Sequence, residues 1–204
     1  MHGQKPGVEM PAGKCIFGKS MRTLRTFNFL SLNGFFKGPN EDISWHRHGV
    51  EEHQYARKGA QSESILLFGR RTYELMAAYW PSQLALDNDP DVAESMNNAE
   101  KIVFSNTLNH AEWKNTRIMS GNIVDQIRTL KQQPGKDMTI LGSGSIVTLC
   151  TEQGIIDEYQ LMIDPIALGY GVPLFQGLTK KIDLKLTASK AFTSGVIVLT
   201  YVPL

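Results

Sequence analysis

The sequence has few cysteines, no long apolar run and no excess of charge of either sign. Two cysteines, Cys15 and Cys150, are too few for a disulfide framework, which favours a reducing cytoplasm. No stretch approaches the roughly 18 consecutive apolar residues of a membrane helix. The 21 Lys and Arg nearly balance the 20 Asp and Glu, so no broad basic face is expected. We therefore predict a cytoplasmic protein that binds neither nucleic acid nor membrane, in which any anion site is local.

The chain also lacks a complete dinucleotide-binding fingerprint. The stretch "MTILGSGSIV" (138–147) runs from an apolar strand into Gly-Ser-Gly-Ser, but the third glycine of G-x-G-x-x-G would fall on Val147. Glycines let backbone N–H groups approach a phosphate, although the same pattern is typical of turns that are merely tight. The stretch does not match G-x-S-x-G either, which argues against a serine hydrolase.

A metal-binding motif is likewise missing. The stretch "HRHGVEEH" groups three histidines with Glu51 and Glu52. However, His48 and His53 are five positions apart, which places them about 140° from each other around a helix. The inverted zinc-protease motif H-x-x-E-H needs histidines four positions apart, on one helix face. We therefore predict no metal site.

The order of the elements indicates an α/β fold. Residues 1–20 hold four glycines and two prolines and predict a flexible arm before a folded domain over 21–204. The pattern predicts strands at 23–32, 64–69, 101–105, 116–120, 138–141 and 155–163, followed by a hairpin of 184–192 with 196–202. It predicts helices from near 49 to 60 and at 70–80, 123–133 and 145–153, and a loop at 35–45. Helices alternate with strands early and strands pair directly late, so we expect three layers around a mixed sheet.

Polar groups follow three of the predicted strands. Gly69 is followed by Arg70, Arg71 and Thr72 at a helix start, where cations oppose the helix dipole unless an anion compensates. A surface pair of Arg70 with Glu74 would also explain the first arginine. Ser105 and Asn106 end the next strand, where a simple polar turn is the alternative. Because parallel strands end at one edge of a sheet, these groups together predict a site for the 2′-phosphate and pyrophosphate of NADPH.

Three motifs in this order resemble the cofactor-binding framework of dihydrofolate reductases: "ILLFGRRTYE", "KIVFSNTL" and "MTILGSGSIV". The stretch "GIIDEYQLMIDPIALGYGVPLF" (154–175) resembles the reductase domain of the bifunctional riboflavin-pathway deaminase/reductase. The resemblance runs from about Arg22 to Pro203. It implies a three-layer α/β/α dihydrofolate reductase-like domain, with a mixed, mostly parallel sheet and a C-terminal antiparallel hairpin, that stands alone and forms a homodimer.

The resemblance also implies which residues form the site. The cofactor would contact Gly69, Arg70, Arg71, Thr72, Ser105, Asn106, Gly142, Ser143, Gly144, Ser145 and Ile146. A mobile loop at 31–45 would close over nicotinamide and substrate. Asn33, Gly34 and Trp45 would lie near the substrate, although Trp45 also suits a loop aromatic that fills the core. Relatives usually have Asp at position 33, and riboflavin reductases often have an acid where Gly142 stands.

The implied activity is hydride transfer from NADPH to a C=N or C=O carbon of a small heterocyclic substrate. Ribosylamino-pyrimidines, such as 5-amino-6-(5-phosphoribosylamino)uracil, and pterins are the expected class. Glu52 or water would donate a proton if one is needed; the alternative for Glu51 and Glu52 is a solvated helix face. A different class of function is an inactive nucleotide-binding module on the same fold, which would bind the cofactor without turnover.

Overall fold

The computed structural model describes residues 22–60 and 63–204, without the side chain of Ala60. The predicted arm at 1–20 lies outside the described residues. The strands are Leu24–Ser31 (β1), Phe35–Lys37 (β2), Ile65–Gly69 (β3), Lys101–Phe104 (β4), Thr116–Met119 (β5), Met138–Leu141 (β6), Glu158–Asp164 (β7), Val172–Pro173 (β8), Leu184–Ala191 (β9) and Ile197–Pro203 (β10). The helices are Val50–Ala60 (α1), Arg70–Tyr79 (α2), Gln83–Asn88 (α3), Pro90–Asn98 (α4), Ile123–Lys131 (α5) and Gly144–Glu152 (α6), with a 3-10 turn at Pro39–Glu41.

Eight strands form one sheet in the order β5-β4-β3-β6-β1-β7-β10-β9. The pairings from β5 to β7 are all parallel, whereas β10 is antiparallel to both β7 and β9. This confirms the predicted mostly parallel sheet with a C-terminal antiparallel hairpin. Because the parallel strands point the same way, their carboxyl ends lie along one edge of the sheet, and the chain segments that follow them meet there.

Helices cover both faces of the sheet, as the three-layer prediction requires. Helices α5 and α6 bury Val124, Ile127 and Ile146 in one cluster with side chains of β1, β3, β4, β6 and β7. On the other face, α2 and α4 pack Tyr73 and Met96 against β3 and β4, and α1 packs Tyr55 against the β1, β7 and β10 side chains. Successive side chains of a strand point to opposite faces of the sheet, so the central strands contribute apolar residues to both helix layers.

Two parts of the fold differ from the sequence prediction. The segment at 35–45, predicted as a loop, contains β2, which pairs antiparallel with β8 in a separate two-stranded sheet. Helices α3 and α4 occupy the stretch after Pro81, which the apolar pattern left unassigned. Both are short, but Ser82 and Asp89 cap them and Pro90 takes the first helical position of α4.

Two further findings concern Cys150 and the helices. Cys150 is fully buried, and burial raises the pKa of its thiol to about 12. In the described parts of the chain, no helix has the length and apolar character needed to cross a membrane.

Candidate functional site

The ends of β3 and β6 are joined by two hydrogen bonds. The Gly69 N–H donates to Ser143 Oγ at 2.8 Å, and the Ser143 N–H donates to Thr72 Oγ1 at 3.2 Å. The start of α2 and the glycine-rich turn before α6 therefore lie side by side. These two motifs are more than 70 positions apart in the chain, so their contact is a genuine convergence of the predicted groups.

The Arg70 side chain connects this pair to the end of β4. Its Nη1 donates to Thr107 Oγ1 at 2.7 Å, and Thr107 N–H in turn donates to Ser105 Oγ at 3.1 Å. Its Nε also donates to Glu74 Oε1 at 2.7 Å, which is the surface pair considered as an alternative. The guanidinium remains about half exposed, and Nη2 has no hydrogen-bond partner within the described residues. Arg70 therefore keeps donors for a further anion.

Two helices that begin beside each other at this edge have no side-chain cap. Helix α2, with Gly69 as N-cap, and helix α6, with Ser143, lack a side-chain hydrogen bond to their first turns. By contrast, the side chains of Ser82, Asp89 and Asn122 cap α3, α4 and α5. An uncapped helix start leaves N–H groups pointing out of the helix, where the dipole favours negative charge. The two starts together offer donors to one elongated anion.

The glycine-rich turn is also closely packed. Gly142 and Ser143 both have left-handed backbone angles, with φ of 59° and 56°. A Cβ on Gly142 would lie 3.1 Å from Thr72 Cγ2, and one on Gly144 would lie 2.8 Å from two ring carbons of Phe36. Ile146 is buried behind the turn. Small residues are therefore required here both by packing and by the chain reversal.

Three other residues predicted for the cofactor have mixed surroundings. Asn106 Oδ1 accepts the Gly121 N–H at 2.8 Å, so this amide links the ends of β4 and β5. Arg71 is 83% exposed, and its Nη1 lies 3.7 Å from Glu41 Oε1. Ser145 is exposed in the first turn of α6. Arg71 thus reaches toward the loop that was predicted to be mobile.

The predicted substrate residues lie around the end of β1. Asn33 Nδ2 donates to Leu168 O at 2.8 Å and Asn33 Oδ1 accepts the Leu168 N–H at 3.1 Å, which fastens the segment after β7 to the β1 turn. Gly34 has a φ of 86° in that turn. Trp45 is half-buried, and its Nε1 donates to Asp42 O at 3.0 Å within its own loop.

The expectation of a solvated helix face is wrong for Glu52. Its side chain is buried and accepts a hydrogen bond from Ser194 Oγ, and Glu51 Oε2 accepts the Thr193 N–H at 2.6 Å. The reason is tertiary: the first turn of α1 packs against the turn between β9 and β10, so both acids serve as acceptors for that turn. A catalytic role for Glu52 stays a prediction.

The sequence analysis missed a buried histidine–aspartate pair at the same edge. His46 Nδ1 lies 2.7 Å from Asp164 Oδ2, and Asp164 is the last residue of β7. The His46 ring stacks on Phe29 with 3.6 Å between centroids, and the His48 ring lies 4.8 Å away. Partial desolvation against the fold, followed by the neighbouring imidazoles of His46 and His53, lowers the pKa of the His48 imidazole, although the residue as a whole is exposed. The sequence does mark Asp164, as an acid that closes an apolar strand directly before Pro165, but it gives no sign that His46 is its partner.

The opposite edge of the sheet has a different character. A shallow cavity of about 240 Å³ lies where β3, β4 and β5 begin, lined in part by Lys101, Asn115 and Arg117. Lys101 is buried there and donates to the carbonyls of Asn97, Ala99 and Lys114 at 3.1, 2.7 and 3.1 Å. These bonds occupy all three ammonium protons, so Lys101 ties α4 to β4 and the cavity belongs to the scaffold. In the part of the chain that the structure describes, no group of three or more His, Cys, Asp or Glu could hold a metal ion.

Comparison with known proteins agrees with this architecture. A family model described as the RibD C-terminal domain matches residues 22–198. The uncharacterized protein YyaP of Bacillus subtilis (strain 168) is 29% identical over 172 residues, which cover 84% of this chain and 90% of YyaP. A Shewanella sp. PV-4 structure, whose name links it to riboflavin biosynthesis, superposes with a TM-score of 0.69 at 21% identity, covering 89% of this chain and 99% of that one. Dihydrofolate reductase from Enterococcus faecalis, solved with NADP(H), gives a TM-score of 0.59 at 15% identity, covering 89% and 96%.

Proposed function

Because the chain belongs to the RibD C-terminal domain family, we propose that it is an NADPH-dependent reductase acting on a small heterocyclic substrate. The family suggests a role like that of the riboflavin-pathway reductases. The observation that carries the cofactor proposal is the meeting of two uncapped helix starts with a partly free guanidinium at one sheet edge. The Enterococcus faecalis reductase of the same fold, which was solved with NADP(H), supports it.

The residues at this edge fit NADPH group by group. We assign the Gly144 and Ser145 N–H groups and the first turn of α2 to the pyrophosphate, because unpaired helix N–H groups favour phosphate. We assign Arg70 to the 2′-phosphate, because a guanidinium matches phosphate in a bidentate fork. When bound, the nicotinamide supplies a hydride. The protein's own contribution is then to hold the substrate in line with that hydride and to exclude water.

The proposed substrate class is a ribosylamino-pyrimidine or pterin bearing a C=N or C=O group. It would lie at the ends of β1 and β7, near Asn33, Gly34 and Trp45 and next to Asp164, the last residue of β7. The family supports this class. We further propose a homodimer in solution, with the exposed edge strand β9 as the candidate contact; sedimentation equilibrium tests this.

The cofactor proposal is tested by titrating the protein with NADPH and NADH while nicotinamide fluorescence is followed. Charged hydrogen bonds contribute about 1.5–3 kcal/mol, so Arg70→Ala should weaken NADPH binding roughly 10- to 100-fold. Binding of NADH, which lacks the 2′-phosphate, should be nearly unchanged. Arg128→Ala is the matched control, because Arg128 lies on α5 and its Nη2 bonds Gln153. Absence of NADPH binding at micromolar concentrations, or equal effects on both cofactors, would contradict the assignment.

Turnover is tested separately, by following NADPH absorbance with 5-amino-6-(5-phosphoribosylamino)uracil and with dihydrofolate. Oxidation of NADPH that depends on either compound supports a reductase of the proposed class. Tight NADPH binding without turnover of either compound would instead favour the inactive nucleotide-binding module. The two measurements therefore separate the binding claim from the claim of catalysis.

A further inference from the structure

The buried pair of His46 and Asp164 lies outside the groups assigned to the cofactor. Their side chains are 3% and 0% exposed. Asp164 Oδ2 faces His46 Nδ1 at 2.7 Å, while Oδ1 accepts the Arg47 N–H at 2.8 Å. Both carboxylate oxygens are thus used to fix the segment that carries His46. A buried acid held in this way orients the imidazole, as carboxylates commonly do for functional histidines.

The pairing decides which ring nitrogen is available. With the Asp164 carboxylate as acceptor, Nδ1 is the donor of this bond, and Nε2 is the ring nitrogen left for another partner. Phe29 stacks on one face of the ring, with 3.6 Å between the ring centroids. Among the described residues, none forms a hydrogen bond to Nε2. The ring is therefore fixed in position with one nitrogen left for an outside partner.

The location of the pair is that of the proposed substrate. Asp164 is in register with Ser31 at the end of β1. On the other side of β1 lies β6, and Asn28 Nδ2 of β1 donates to Gly142 O at 3.4 Å. Two strand spacings, about 10 Å, separate the ends of β6 and β7. This distance suits a nicotinamide that extends from the glycine-rich turn after β6, with a substrate beside it at the end of β7.

We propose that His46 is the proton donor of the reductase and that Asp164 is the residue that positions it. This inference rests on the proposed function. His46 Nε2 gives its proton to the nitrogen or oxygen of the C=N or C=O bond while the adjacent carbon accepts the hydride. The π bond breaks, one C–H and one N–H or O–H bond form, and NADPH leaves as NADP⁺. The neutral imidazole regains a proton from solvent, so atoms and charge balance.

The neighbouring groups support His46 over Glu52 as the donor. The charged and titratable side chains around the pair are Arg47, His48, Glu52 and His53. Glu52 is already bonded to the Ser194 hydroxyl, and Arg47 donates to the Ser194 carbonyl. His48 is exposed, with its ring 4.8 Å from that of His46. The side of His46 that faces His48 therefore lies close to solvent, from which the proton returns.

The activity test compares His46→Gln, Asp164→Asn and the control His110→Gln, which replaces an exposed imidazole between β4 and β5. A general acid contributes about 10²- to 10⁴-fold. His46→Gln should therefore lower kcat by about 100-fold or more, with NADPH affinity unchanged. Asp164→Asn should lower kcat less and alter its pH profile, because the imidazole remains but is no longer held by a charge. Added imidazole should partly restore turnover to His46→Gly, which a purely structural role would not allow.

A second measurement does not depend on turnover. In the NADP⁺ complex, the imidazole Cε1–H NMR signal of His46, identified by its loss in His46→Gln, should shift when folate is added, whereas the signal of His110 should not. A 100-fold loss of kcat together with this shift supports the proposal. Normal kcat in His46→Gln, or no shift, overturns it while leaving the reductase proposal intact. A wild-type protein that binds NADPH but reduces neither test compound overturns both.

Discussion

Replacement of Ser143 should reveal how firmly the ends of β3 and β6 are joined. Ser143→Ala removes the acceptor for the Gly69 N–H, a bond of 2.8 Å in a half-buried position. An N–H left unpaired costs about 1–3 kcal/mol when buried, so we expect a loss of about 1–2 kcal/mol in the free energy of unfolding. Ser143→Gly loses the same bond, but Ser143 has a φ of 56°, and glycine removes left-handed strain of about 1 kcal/mol.

The glycine variant should therefore be more stable than the alanine variant by about 0.5–1 kcal/mol, once the extra freedom of glycine in the unfolded chain is counted. Urea unfolding followed by circular dichroism measures both differences. Ser145→Ala is the control, since Ser145 is exposed in the same helical turn and should stay within about 0.5 kcal/mol of wild type. An alanine variant as stable as wild type, or more stable than the glycine variant, would refute the reasoning.

Two further predictions concern packing and thiol chemistry. Gly144→Ala places a Cβ 2.8 Å from Phe36 ring carbons and should destabilise the protein by about 1–3 kcal/mol. Gly59→Ala, with open space around it in α1, should instead stabilise the protein by about 0.5–1 kcal/mol. Equal effects of the two variants in urea unfolding would contradict the packing at the turn. In a Cys15→Ser background, the buried Cys150 thiol should resist a disulfide reagent at pH 8 until urea unfolds the protein. Burial raises the pKa of the Cys150 thiol to about 12. The stability that the neutral thiol contributes is therefore complete below the unfolded thiol pKa of about 9 and is lost as pH rises toward 12. Rapid labelling of the native protein, or a Cys150→Ala variant that loses as much stability at alkaline pH as its parent, would contradict this.

The parts of the site that could be predicted are those with a local signal. A strand that runs into Gly142 and Ser143, or into Gly69 and Arg70, shows its turn and helix start within a few residues. The parallel arrangement then brings such ends to one edge, which is why distant motifs could be expected to meet. The missing side-chain cap of α6 could not be predicted in this way, because serine is a common cap and only the structure shows that Ser143 is left-handed, with its Oγ accepting the Gly69 N–H.

The parts that could not be predicted depend on contacts between distant segments. His46 and Asp164 are 118 positions apart, and nothing near either residue indicates its partner. Glu52 could not be distinguished from Glu51 on the helix, since its burial comes from packing against Ser194 in the C-terminal hairpin. Strand β2 was hidden for the same reason, because its hydrogen bonds go to β8 rather than to its chain neighbours.

The central claim is that one dinucleotide spans the joined ends of β3, β4 and β6. A crystal structure of the protein with NADPH tests it most directly. The account predicts the 2′-phosphate on Arg70 and the pyrophosphate on the first N–H groups of α2 and α6, with the nicotinamide directed toward the ends of β1 and β7. A crystal grown at saturating NADPH with the cofactor bound elsewhere, or with these N–H groups left to water, would contradict it.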